Sequence, residues 1–155
     1  MALGVSALLK QLSSVSQTLN EASDELTQEI KQVESALGSF NLGVSAWVKF
    51  AVNEEQFDAS NGTFYRFERV DMLGYGKHHG KWALLVSSGV EEVGQEETWL
   101  LRDAPRDLRI KAVDAIPALL EKIVEEATSL TGEVRNKANR TKSIADSIRQ
   151  KKAGE

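Results

Sequence analysis

The spacing of apolar residues changes twice along this chain, and the three segments that result are expected to take different secondary structures. Within residues 1–37 and again within 104–151, apolar residues recur at steps of three and four, which is the pattern of amphipathic helices. Within residues 42–102 the apolar residues instead alternate with polar or small ones, which indicates strands. The sequence therefore predicts an α+β fold in which two long helices flank a four-stranded antiparallel sheet.

The first helix carries one continuous apolar stripe. Its members are Val5, Leu8, Leu12, Val15, Leu19, Ala22, Leu26, Ile30, Val33 and Leu37. This is a coiled-coil-like heptad pattern with one 11-residue interval, and such stripes pack against another helix. Near the N-terminus the polar face is mostly Ser, Gln and Thr, with only Lys10 charged. We therefore treat four stripe residues as a candidate interface: Leu8, Leu12, Val15 and Leu19.

The C-terminal helix has a matching stripe that runs from Val113 to Ile148. The two stripes predict that the helices pair antiparallel. Pro117 is expected to kink this helix or to divide it, with Asp114 capping the second piece. Of these two, the favoured interpretation is one kinked helix over residues 104–151 that continues through Gly132.

The middle segment predicts four strands near residues 42–52, 64–76, 81–88 and 97–102, with connections short enough for a meander. A polar loop is expected over residues 53–63, with a turn at Asn61-Gly62. His78-His79, between glycines, is interpreted as the tip of a hairpin that places Tyr75 opposite Trp82 and Leu73 opposite Leu84.

Composition limits the classes of function. The 155 residues are expected to form a single domain, 1–155, that is long enough to bury a core. The chain has no cysteine, and no basic segment precedes its N-terminal apolar residues, so we expect a cytoplasmic protein. The histidine pair has no neighbouring ligand for a metal, and the glycines around it lack phosphate-loop spacing. The sequence therefore predicts no catalytic residues, no cofactor and no metal.

Charge is distributed unevenly. Residues 134–155 hold seven Lys and Arg against two acidic residues, or +5, while residues 1–133 hold 12 against 21, or −9. The basic end is expected to lie in solvent or beside acidic residues of the first helix, such as Glu21, Asp24 and Glu25. A nucleic acid is an unlikely partner because no aromatic residue for base stacking follows Trp99.

Two helices from one chain cover only one face of a sheet, yet large apolar residues are predicted on both faces. The expected function is therefore that of a non-enzymatic interaction or scaffolding protein that forms a symmetric homodimer, and a further protein partner is the other option for its exposed surface. One alternative is a small-ligand module with an aromatic-lined pocket between sheet and helices. Another is a peripheral membrane protein that uses residues 1–20. The candidate ligand or interface residues of the sheet are Trp47, Tyr65, Phe67, Tyr75, Trp82 and Trp99.

Overall fold

The predicted α+β architecture is confirmed. The structure is a computed structural model that describes residues 4–58 and 62–154. Its helices and strands are α1 (Val5–Ser39), β1 (Ala46–Asp58), β2 (Phe64–His78), β3 (Lys81–Val90), β4 (Gln95–Leu100), α2 (Arg106–Val113) and α3 (Ile116–Ala153). The strands form one antiparallel sheet in the order β1-β2-β3-β4, which is the expected meander.

The first strand differs from the prediction at both of its ends. It begins at Ala46 rather than near residue 42, and its pairing with β2 continues from Asn53 opposite Arg69 to Asp58 opposite Phe64. The loop expected over residues 53–63 is therefore wrong for 53–58, because backbone pairing with β2 supports a strand whose sequence is mostly polar. Asn61 of the predicted turn lies outside the described residues.

The hairpin between β2 and β3 turns one residue later than predicted. Its two central residues, His79 and Gly80, have φ values of 51° and 81°, and positive φ at both positions is what a type I′ turn requires. The register therefore places Tyr75 opposite Leu84, not Trp82. Each side chain nevertheless lies on the predicted face of the sheet, because the pairing is shifted by two residues and side chains alternate between faces with a period of two. The rings of Tyr75 and Trp82 still stack diagonally, with centroids 5.4 Å apart.

Both long helices pack on the same face of the sheet. The sheet residues of this core are Ala46, Leu73, Tyr75, Leu84 and Val86, with Val44 just before β1, and the main helical ones are Ile30, Leu37, Leu119 and Ile123. Helix α1 contacts β3 and the 3-10 turn at residues 101–103, whereas α3 contacts β1 and β2. The two long helices therefore contribute to the same core. They do not pack against each other along their lengths, as the predicted antiparallel pairing would require.

Pro117 divides the C-terminal helical segment instead of kinking it. Helix α2 ends at Val113, and α3 begins at Ile116 with Pro117 in its first turn, where no backbone N–H is needed for the helix. The favoured single helix over 104–151 is therefore wrong in its first part. Asp114 makes no side-chain cap, since Ala115 occupies the N-cap position of α3. As predicted, α3 does continue through Gly132.

Polar contacts hold the second half of α1 in place. The Glu34 carboxylate accepts hydrogen bonds from the Leu84 backbone N–H at 2.9 Å and from Arg102 at 3.0 Å. Further towards the N-terminus, two arginines at the start of α2 reach α1, with Arg106 donating to Asn20 at 2.7 Å and Arg109 donating to Ser23 at 2.8 Å. These contacts leave the segment before Asn20 beyond the body of the protein.

Candidate functional site

Two helical segments lie beyond the core. We name residues 5–19 the α1 arm and residues 128–153 the α3 arm; nearly every residue of both is exposed. Apart from these segments, the helices are anchored by buried residues, namely Ile30 and Leu37 in α1 and Leu119 and Ile123 in α3.

The α1 arm exposes large apolar side chains along one face. They are Val5, Leu8, Leu9, Leu12, Val15 and Leu19, with exposed fractions from 44% at Leu8 to 74% at Val5. This stripe continues the one that packs into the core at Leu26, Ile30, Val33 and Leu37. The four interface residues predicted from the sequence therefore lie on one uncovered helical face.

The α3 arm is more polar and strongly basic. Its exposed large apolar residues are Leu130, Val134, Ile144 and Ile148, and smaller residues occupy the stripe positions between Val134 and Ile148. Lys137 pairs with Glu133 at 3.1 Å and Arg149 with Asp146 at 3.7 Å. Because solvent screens such pairs, they contribute little to stability, and the arm keeps an excess of positive charge.

The structure does not bring the predicted aromatic residues into one pocket. By register, Trp82 and Trp99 lie on the face that the helices cover, while Trp47 lies opposite Gly74 on the other face. Tyr65 and Phe67 lie further along β2, with ring centroids 6.3 Å apart, and Tyr65 is half exposed. The pocket expected between sheet and helices is instead filled with core side chains.

Tyr75 belongs to that core. Burial raises the pKa of its hydroxyl above the usual range, and the negative charge of Glu34 adds to the effect. The phenol therefore stays protonated well above neutral pH, and its contribution is packing against Trp82.

The sheet has a groove on the face that the described helices leave open. Its volume is about 480 Å³, and it is lined by Val70, Met72 and Gly89, with Lys49 and Glu96 among the polar residues at its rim. Trp47 lies on the same face, two residues before Lys49 along β1. Sequence reasoning missed this site; the available signal was the run of small residues Ser87-Ser88-Gly89, which follows the apolar residues of β3.

A polar cluster lies on the helix-bearing face near the middle of β2. Arg69 donates to both carboxylate oxygens of Glu55 and to the Ser88 hydroxyl, and the bond to Glu55 raises the pKa of the guanidinium. Neighbouring Asp71 is buried, and its Oδ1 has no hydrogen-bond partner. Among the described residues, no group of three or more His, Cys, Asp or Glu side chains is placed to hold a metal.

The histidine pair lies at the end of the hairpin, one residue off the predicted centre: His79 is in the turn, and His78 is the last residue of β2 and pairs with Lys81. The two rings meet edge to face with centroids 4.3 Å apart, and His79 is exposed. Their position follows from the turn, in which His79 takes a positive φ.

The chain matches no family model, no curated protein and no solved structure. In the part of the chain that the structure describes, neither long helix has a stretch apolar enough to cross a membrane. Function must therefore be argued from the exposed helical arms and the groove.

Proposed function

We propose that this is a non-enzymatic interaction or scaffolding protein that self-associates as a homodimer through helical surface beyond its core. The observation that supports the proposal is the uncovered apolar stripe of the α1 arm. Full burial of a Leu or Val side chain is worth about 1.5–3 kcal/mol, so the five exposed stripe residues, with Leu9 beside them, favour association in water. A face shared by two identical chains is most simply buried in a symmetric dimer.

Light scattering during size-exclusion chromatography tests this proposal. We expect the mass to approach twice 17.1 kDa at high protein concentration and to fall towards 17.1 kDa on dilution. Leu12→Glu should shift the mass towards the monomer, because a carboxylate would be placed on the stripe. Ser13→Glu is the matched control, since it adds the same charge next to Leu12 but off the stripe, and it should leave the mass unchanged.

A wild-type protein that stays monomeric at every concentration would contradict self-association. Lipid would then be the next partner to test, because the α1 arm has a broad apolar face and a face of Ser, Thr and Gln. Co-sedimentation with liposomes, lost in Leu12→Glu and kept in Ser13→Glu, would support the peripheral membrane alternative.

The groove on the open face favours a second candidate function, the binding of a small ligand. Tryptophan fluorescence can test it, because Trp47 lies beside the groove while Trp82 and Trp99 lie on the opposite face. In a variant with Trp82→Phe and Trp99→Phe, a ligand from a panel should change the Trp47 signal saturably. The variant Trp47→Phe, which keeps the other two rings, should not respond. Equal responses from both variants would argue against binding in the groove.

A further inference from the structure

We propose that the α1 arm is covered by the α1 arm of a second copy, which runs antiparallel to it with Leu12 packed against Val15 of that copy. This inference rests on the proposed self-association and assigns its interface. Three observations support it. They are the lack of charge beside the stripe of the α1 arm, the position along α1 at which the core begins, and the distribution of charge over the rest of the chain.

The positions beside the stripe carry no charge. In the heptad pattern, Gln11, Ser16 and Thr18 flank the apolar seam, together with Leu9. The one charged residue of the arm, Lys10, lies on the side away from the seam. Two identical surfaces that carry charge of one sign repel each other, and the positions beside this seam carry none.

The α3 arm of a second copy would cover the stripe of the α1 arm less well. Lys137, Lys142 and Arg149 flank its stripe, so two copies of it would repel each other. Its stripe also contains Ala138, Thr141 and Ala145, which bury little apolar surface. The α1 arm has no acidic residue that would attract a basic helix, so charge gives the α3 arm no advantage as its partner.

The core sets the register. Leu26 packs into the core of its own chain, so the free seam ends at Ala22. In an antiparallel pair, the longest alignment of the free seam places Leu12 opposite Val15, Leu8 opposite Leu19 and Val5 opposite Ala22 of the second copy. If the two helices overlapped by one heptad more, Leu8 of the second copy would have to pack against Leu26, which already packs into the core of its own chain. If they overlapped by one heptad less, the pairing of Val5 with Ala22 would be lost.

The body of the protein favours the antiparallel direction. Residues 20–133 hold 11 Lys and Arg against 21 Asp and Glu, or −10. A parallel pair would place two such bodies side by side and would bring Glu21 and Glu25 of both copies to the same end. An antiparallel pair separates the two bodies by the length of the paired arms.

Disulfide trapping tests the direction and the register, because the chain has no cysteine of its own. Isotope-labelled Leu8→Cys is mixed with unlabelled Leu19→Cys and oxidised, and the intact mass of each covalent dimer identifies its two chains. The proposed register brings these two positions together, whereas two Leu8 positions would be about 16 Å apart along the axis, too far for a disulfide. We therefore expect the mixed dimer as the main product. Both substitutions lie outside the core, so the body should remain folded.

The outcomes separate the interface from self-association itself. If the main covalent dimer joined two Leu8→Cys chains, the two helices would be parallel, and the proposal would be overturned. A yield of mixed dimer no greater than that of Ser6→Cys, a control on the outer face of the arm, would also overturn it. If light scattering still gave a dimer in either case, self-association would stand and its interface would lie elsewhere. A monomeric wild-type protein would overturn both the self-association and the proposed interface.

Discussion

Leu119→Ala is expected to lower the free energy of unfolding by about 3 kcal/mol. Leu119 is completely buried in the first turns of α3, where the helix packs on β1 and β2. Removing its side chain leaves a cavity in the core between α3 and the sheet, and such cavities relax only in part. Urea or guanidinium unfolding followed by circular dichroism would measure the loss.

The next residue provides a matched control. Leu120 is 39% exposed, so Leu120→Ala removes the same atoms from the same helix but leaves no enclosed cavity. We expect a loss of about 1 kcal/mol or less. Equal losses for the two variants would contradict the packing of α3 described above, because they would mean that Leu119 is no better buried than its neighbour.

Gly89→Ala is expected to cost about 2 kcal/mol, because the strand has no room for a β-carbon. A β-carbon at Gly89 would lie 2.5 Å from the carbonyl oxygen of Gln95 and 2.9 Å from the α-carbon of Glu96. Both are backbone atoms of β4, so the strands must move apart to relieve the clash. Thermal or urea unfolding of the variant measures the cost, and the change should also alter the groove that Gly89 lines.

Gly76→Ala is the control for this second prediction. A β-carbon at Gly76 would meet Ser45 at 3.7 Å and Leu85 at 3.9 Å, which are ordinary contact distances. The substitution also reduces the freedom of the unfolded chain, so we expect unchanged or slightly higher stability. If Gly76→Ala were as harmful as Gly89→Ala, the loss would reflect alanine in the sheet generally and not the close approach of β4.

Most secondary structure could be predicted because the periods of helix and strand differ. The stripe from Val5 to Leu37 recurs close to every 3.6 residues, and only a helix places such residues on one face. The ends of elements were harder to predict. The polar residues 53–58 resemble a loop by composition, and only their pairing with β2 makes them a strand. The hairpin tip was misplaced by one residue because two adjacent histidines between glycines allow more than one reversal.

The candidate site was predicted only in part. Leu8, Leu12, Val15 and Leu19 were identified from their spacing and from the neutral residues beside them. The groove was not, because it depends on four strands that lie side by side and on the small residues that face the same way. The aromatic residues were grouped as one candidate set, yet the register places Trp47 on the opposite face from Trp82 and Trp99.

The sequence by itself determined the type and order of the long helices and of the four strands, because hydrophobic period and short connections are local properties of a chain. It also determined that one helical stripe runs without interruption from Val5 to Leu37. Only the tertiary structure decided where along that stripe the core begins. Leu26, Ile30, Val33 and Leu37 pack into the core while Val5 to Leu19 extend beyond it, because β3 and the 3-10 turn at residues 101–103, which α1 contacts, lie beside its second half.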